Sequence, residues 1–143
     1  MFDLPETVGI TRELIAREGL EHAAGTIEGD FLVDDLGTGF DLVLMSSVLH
    51  IYSPAQNRRL IKKGYRALRP GGRIVVRDHM LAPGGTAPKG GAMFSLNMLV
   101  NTEGGAAYTE REIRSWLKSA GFEKIKRLDI GERTGILTGM KPK

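Results

Sequence analysis

Five side chains in this sequence have the type and setting that chemistry uses: His50, Asp78, His79, Asp3 and Asp30. His50 ends the stretch LVLMSSVLH, in which the apolar run Leu42-Val43-Leu44-Met45 gives way to Ser46-Ser47. A short apolar run bounded by turn signals reads as a strand, over about residues 41–46, buried on both faces. A polar residue just past its carboxyl end lies where open α/β sheets place their reactions. Imidazole titrates near neutral pH, so a histidine in that place has the chemistry of a general base. Asp78 and His79 lie in a second β-branched stretch, RIVVRDHML, and strand alternation predicts that His79 points the other way. Taken one at a time, a histidine like His50 is usually a hydrogen-bonded bystander. Asp3-Leu4-Pro5 and Gly29-Asp30 are ordinary turn and helix-start signals.

The elements that must position these residues follow from pattern. FDL (2–4) reads as the tail of a strand, and Pro5 suits the first turn of a helix that spans about 6–18 and ends near Gly19. Residues 23–32 predict a short strand that stops at Gly29-Asp30, and DDLGTG is turn chemistry. Ser53 caps a helix that begins at Pro54, presents Ile61, Tyr65 and Leu68 on one face, and ends at RPGG (69–72). A strand over 73–81, a Gly/Pro-rich loop over 82–91 and a mostly apolar helix over 92–101 follow. Thr109 and Glu112 form a capping box ahead of a helix that buries Ile113, Trp116, Leu117 and Ala120 before Gly121. EKIKRLDI and TGILTGMK, joined by GER, read as a closing antiparallel hairpin. Alternating helices and strands imply a mainly parallel α/β sheet with helices on both faces.

Composition narrows the class. The 143 residues suffice for a single domain, 41% are hydrophobic and 26% charged, as in a soluble globular protein. No run approaches a membrane span and no secretory signal is visible at the N-terminus. The absence of cysteine excludes disulfides and thiolate metal sites and fits a cytoplasmic setting; no metal site is expected. The net charge of +3 comes from lysines and arginines spread between apolar positions, and aromatics make up 6%. That distribution describes solvated faces rather than a nucleic-acid stripe. Neither nucleic acid nor membrane is an expected partner.

The succession FDLPE, EGDFL, FDLVLMSSVLHIYSP, LRPGGRIVV and YTEREIRSWLKSAGF resembles the S-adenosylmethionine-dependent small-molecule O-methyltransferases, across nearly the whole chain. The resemblance implies a class I, Rossmann-like methyltransferase fold and the cofactor S-adenosylmethionine. It implies that Asp3, with Leu4 beside it, holds the cofactor ribose, and that Asp30 and Phe31 meet the adenine. Ser46 lies where the family lines the cofactor near its sulfonium. His50 falls on the family's catalytic histidine, which takes the acceptor's hydroxyl proton, and Asp78 on the acidic residue that fixes it. Met93, Phe94, Asn97 and Met98 sit on the segment that walls the acceptor pocket.

The chain also departs from the family. Ala107, in GGAAYTE, stands where a second glutamate is usual. The helical dimerisation domain, the first strand and the glycine-rich cofactor turn have no counterpart, so residues 1–143 read as the C-terminal part of one catalytic domain. In that fold the first strand is central, and a sheet without it bares strand edges. Self-association, a complementing chain or a rearranged sheet is the expected response. Two functions remain open beside each other: methyl transfer to a hydroxyl of a small aromatic molecule, and a non-catalytic remnant that acts by binding or association. A nucleotide-binding α/β domain of another kind is a third reading, which the setting of His50 does not support.

Overall fold

A computed structural model describes residues 1–128 and 134–143. The expected GER connection lies outside the described residues. The chain divides into two compact units, Met1–Gly37 and Thr38–Lys143.

In the smaller unit, β1 (Phe2–Asp3) pairs in parallel with β2 (Ile27–Glu28), and α1 (Pro5–Arg17) connects them. Pro5 occupies the first turn, where its missing N–H costs no hydrogen bond. Val8 is fully buried. The strand expected over 23–32 shrinks to two residues. The amides of Ala23 and Ala24 both turn back to the Leu20 carbonyl at 2.9 Å, and those of Val33 and Asp34 turn back to Asp30.

The larger unit contains a four-stranded sheet in the order β3–β4–β8–β7: β3 (Phe40–Ser46), β4 (Leu68–Asp78), β8 (Gly135–Met140) and β7 (Glu123–Leu128). β3 and β4 run parallel, which requires a crossover; α2 (Pro54–Ala67) supplies it. β4 with β8 and β8 with β7 are antiparallel, forming the expected closing hairpin. A separate parallel pair joins β5 (Met80–Leu81) to β6 (Tyr108–Thr109), with α3 (Lys89–Asn101) between them in sequence. α4 (Glu110–Ala120) follows β6. Among the described residues three of the five strand pairings are parallel. This is the α/β architecture the pattern predicts.

Both expected caps form. Ser53 with Gln56, and Thr109 with Glu112, satisfy amides at the starts of α2 and α4 reciprocally. Gly121 closes α4 with a φ of 104°. α2 and α4 cover the face of the sheet that carries Met45, Ile74 and Leu137. A side chain at Gly64 would meet the Met45 tip at 2.7 Å, and Tyr65 of α2 meets Phe122 edge-on at 5.1 Å.

Two expectations change. The strand around residue 43 is not buried on both faces: Leu42 is 52% and Leu44 59% exposed. β3 is the edge of its sheet, and α2 covers only the Val43/Met45 side. RPGG does not separate helix from strand either. β4 begins at Leu68, and an irregularity in its register with β3, between Phe40 and Leu42, absorbs the intervening residues. Among the described residues no helix is long and apolar enough to cross a membrane.

Candidate active site

Parallel pairing brings the carboxyl ends of β3 and β4 together, with exposed Ser46 in register with Arg77. β3 stops because Ser47 adopts a φ of +55°, uncommon for a residue with a side chain. Its amide donates to the Arg77 carbonyl at 2.8 Å, and Arg77 Nη1 donates to its hydroxyl at 3.3 Å. The chain then winds through one 3-10 turn, Leu49–Ile51, which carries His50.

Asp78, the last residue of β4, is 2% exposed and fully engaged. Its Oδ1 is 2.7 Å from His50 Nδ1 and accepts the His79 amide at 2.7 Å. Its Oδ2 accepts the amides of Leu49 at 3.0 Å and His50 at 3.4 Å. A buried carboxylate is tolerated when its lone pairs are filled in this way. An ionised carboxylate only accepts, so Nδ1 carries the proton and Nε2 is left as the ring's acceptor. Ala107 is buried and gives its amide to Ser95 Oγ at 3.1 Å. Among the described residues Asp78 is the acidic side chain bonded to His50.

The turn that holds His50 is fastened by residues the sequence reading did not single out. Asn57 is fully buried on α2, and its Nδ2 donates to the carbonyls of Leu49 at 2.8 Å and Tyr52 at 3.0 Å. The Tyr108 hydroxyl donates to the same Tyr52 carbonyl at 2.5 Å. Burial, reinforced by nearby Glu112, pushes the Tyr108 pKa up to about 12, which keeps the phenol a donor. Gly105 presses on the turn from the other side: a Cβ there would lie 2.2 Å from the His50 carbonyl oxygen. A signal for Asn57 was present. It stands three, four and seven residues before Leu60, Ile61 and Gly64, a polar residue on the buried stripe.

His79 overturns the alternation argument. It falls between β4 and β5, so the pleat does not carry through it. Its ring lies 6.2 Å from that of His50, and Phe94 contacts both, at 4.1 Å from His79 and 4.8 Å edge-on from His50. Phe94 and Met93 line a pocket of about 560 Å³ with His79, Pro88, Lys89, Gly90 and Gly91. Asn97 and Met98 are not in its lining. Asn97 accepts from Asn101 through both its carbonyl and its side chain at 2.9 Å, and the Met98 carbonyl accepts from the Thr102 hydroxyl at 2.7 Å.

In the smaller unit, parallel pairing sets the ends of β1 and β2 side by side, which places Asp3 and Asp30 at one end of the ladder. Asp3 Oδ1 accepts the amide of exposed Leu4 at 2.9 Å, and Asp30 Oδ1 accepts that of Leu32 at 2.7 Å. The second oxygen of each carboxylate makes no bond among the described residues. Phe31 packs on Phe2 at 5.5 Å, and a Cβ at Gly29 would lie 2.5 Å from the tip of the Phe2 ring, which would have to shift.

Comparison with known proteins gives this arrangement a context. The chain is 32% identical to the 3-hydroxy-5-methyl-1-naphthoate 3-O-methyltransferase of Streptomyces sahachiroi over 97% of its own length and 41% of that protein's. The solved structure of PigF with S-adenosylhomocysteine superposes with a TM-score of 0.89 at 29% identity, covering 98% of this chain and 42% of that one. Human N-acetylserotonin methyltransferase in complex with S-adenosylmethionine gives 0.88 at 30% identity, over 99% and 40%. The chain thus spans about two fifths of the length of the relatives it matches. The pattern that defines the O-methyltransferase domain matches residues 1–123, and the chain belongs to that family.

Proposed function

We propose that this chain carries the base and nucleoside-binding groups of an S-adenosylmethionine-dependent methyltransferase acting on a hydroxyl of a small aromatic molecule. The observation that carries the reading is the 2.7 Å contact between His50 Nδ1 and the buried Asp78 carboxylate. With Nδ1 held, Nε2 is the atom that removes the acceptor's proton. A phenol, with a pKa near ~10, needs such a base at neutral pH. Asp78 fixes the tautomer and stabilises the imidazolium that forms.

The cofactor, when bound, supplies an electrophilic methyl group, which leaves alignment and proton removal to the protein. Its donor set fits the residues present: Asp3 and Asp30 each keep one oxygen open to accept from a ribose hydroxyl or the adenine amino group. Leu4 and Phe31 of the same unit offer apolar contact. Met93 and Phe94 receive the acceptor, whose aromatic class is supported by the naphthoate named for the Streptomyces relative. Asn97 and Met98 lie further along the same helix, outside that pocket.

The test is calorimetry with S-adenosylhomocysteine beside a methyl-transfer assay. Micromolar binding is expected, lost in Asp3→Ala. His50→Gln is expected to cut transfer by ~10²–10⁴-fold with binding intact. No heat from the wild-type chain would sink the catalytic reading. A second reading, a module that acts by self-association or by joining a complementing chain, draws on the exposed Leu42 and Leu44 of the β3 edge.

A further inference from the structure

The pocket of about 560 Å³ at the start of α3 is almost wholly apolar, with two exceptions. His79 and Lys89 are the lining residues with polar side chains. His79 is half-buried, its ring packed at a 34° tilt against Phe94, 4.1 Å between centroids. Neither of its ring nitrogens has a partner among the described residues. The Lys89 ammonium is exposed and makes no ion pair among the described residues. An unpartnered imidazole and an unpaired cation on the rim of an apolar pocket are the arrangement that orients a ligand with a flat apolar body and an anionic end. The first turn of α3 opens on the same pocket through Gly90 and Gly91, and its N-cap, Pro88, offers no side-chain hydrogen bond. That end of a helix favours negative charge, in the same sense as the two side chains.

We propose that this pocket selects methyl acceptors that carry an anionic group on the aromatic ring, with His79 and Lys89 reading the charge and Phe94 the ring. Phe94 touches both imidazoles, so the residue that contacts the acceptor's ring also borders the base. The inference rests on the methyl-transfer reading only in calling the ligand an acceptor; the anion preference stands on the pocket alone.

Two probes of similar shape test it on the full chain: 6-hydroxynaphthalene-2-sulfonate, charged at all relevant pH, and neutral 2-naphthol. Binding is followed by the fluorescence of the probes and by the imidazole NMR signals of the three histidines. The sulfonate is expected to bind roughly tenfold tighter and to shift the His79 signals. That ratio should fall toward one in Lys89→Met and in His79→Phe, and be kept in Lys89→Arg. Lys89 is exposed, so its variants report on charge and not on folding. Equal affinities, no binding of the sulfonate, or a preference that survives the Lys89→Met/His79→Phe double variant would overturn the proposal. S-adenosylhomocysteine titrated into the same samples separates the two readings. A sulfonate preference without any cofactor heat leaves the anion site standing and removes the methyl-transfer reading. Cofactor binding without the preference does the reverse.

Discussion

At the scale of single residues, the site depends on two buried polar side chains that hold a backbone turn. Asp78 was legible in the sequence as the partner of His50 by resemblance, and its place at the end of a strand allowed that role. Its other work, accepting three backbone amides, was not legible, because it depends on how the Leu49–Ile51 turn folds back over β4. Asn57 holds the opposite side of the turn through two carbonyls. Replacing it with leucine removes one hydrogen bond from each carbonyl, at about 0.5–1.5 kcal/mol apiece, while the Tyr108 hydroxyl still reaches the Tyr52 carbonyl and the Tyr52 amide that of Leu49. Asn57→Leu is therefore expected to lower the urea midpoint by an amount equivalent to about 1–3 kcal/mol. It should also weaken proton removal by His50 while cofactor affinity is kept. Chemical denaturation and calorimetry on one preparation check both.

At the scale of elements, what pattern and capping chemistry determine locally was legible. The Ser53 cap, the Thr109/Glu112 capping box, the Gly121 stop and the final hairpin rest on contacts within a few residues or on strong alternation. What tertiary contact determines was not. β3 looks like a doubly buried strand because its run is apolar, yet its neighbours leave Leu42 and Leu44 in the open. His79 broke the alternation because β4 ends one residue before it. The glycines show the same division. Gly105 lies against the His50 carbonyl, so Gly105→Ala forces backbone against backbone with nothing to give way. Gly64 faces the tip of the Met45 side chain, which can rotate. Gly105→Ala is expected to disturb the His50 ring signals and reduce transfer by an order of magnitude or more, as a misplacement of about 1 Å does. Gly64→Ala should leave both near wild type. NMR of the histidines together with the transfer assay distinguishes the two.

At the scale of the whole molecule, apolar surface remains in contact with water. On β3, Leu42 and Leu44 are more than half exposed, and on α3 the same holds for Met93, Leu96, Leu99 and Val100. An unpaired strand edge with apolar side chains recruits other strands. Light scattering on a size-exclusion column is expected to show a mass that rises with concentration. Leu42→Thr with Leu44→Lys should return it toward the 15.6 kDa of one chain. A wild-type mass of one chain at every concentration would contradict this. The order of strands has a further consequence, for the timing of synthesis. β8, the last strand along the chain, lies inside the sheet with β4 on one side and β7 on the other. Before that strand emerges from the ribosome, a nascent polypeptide can assemble α2 and the β3–β4 pair. It cannot complete the sheet until residues 135–140 have been translated and threaded between two strands made before them.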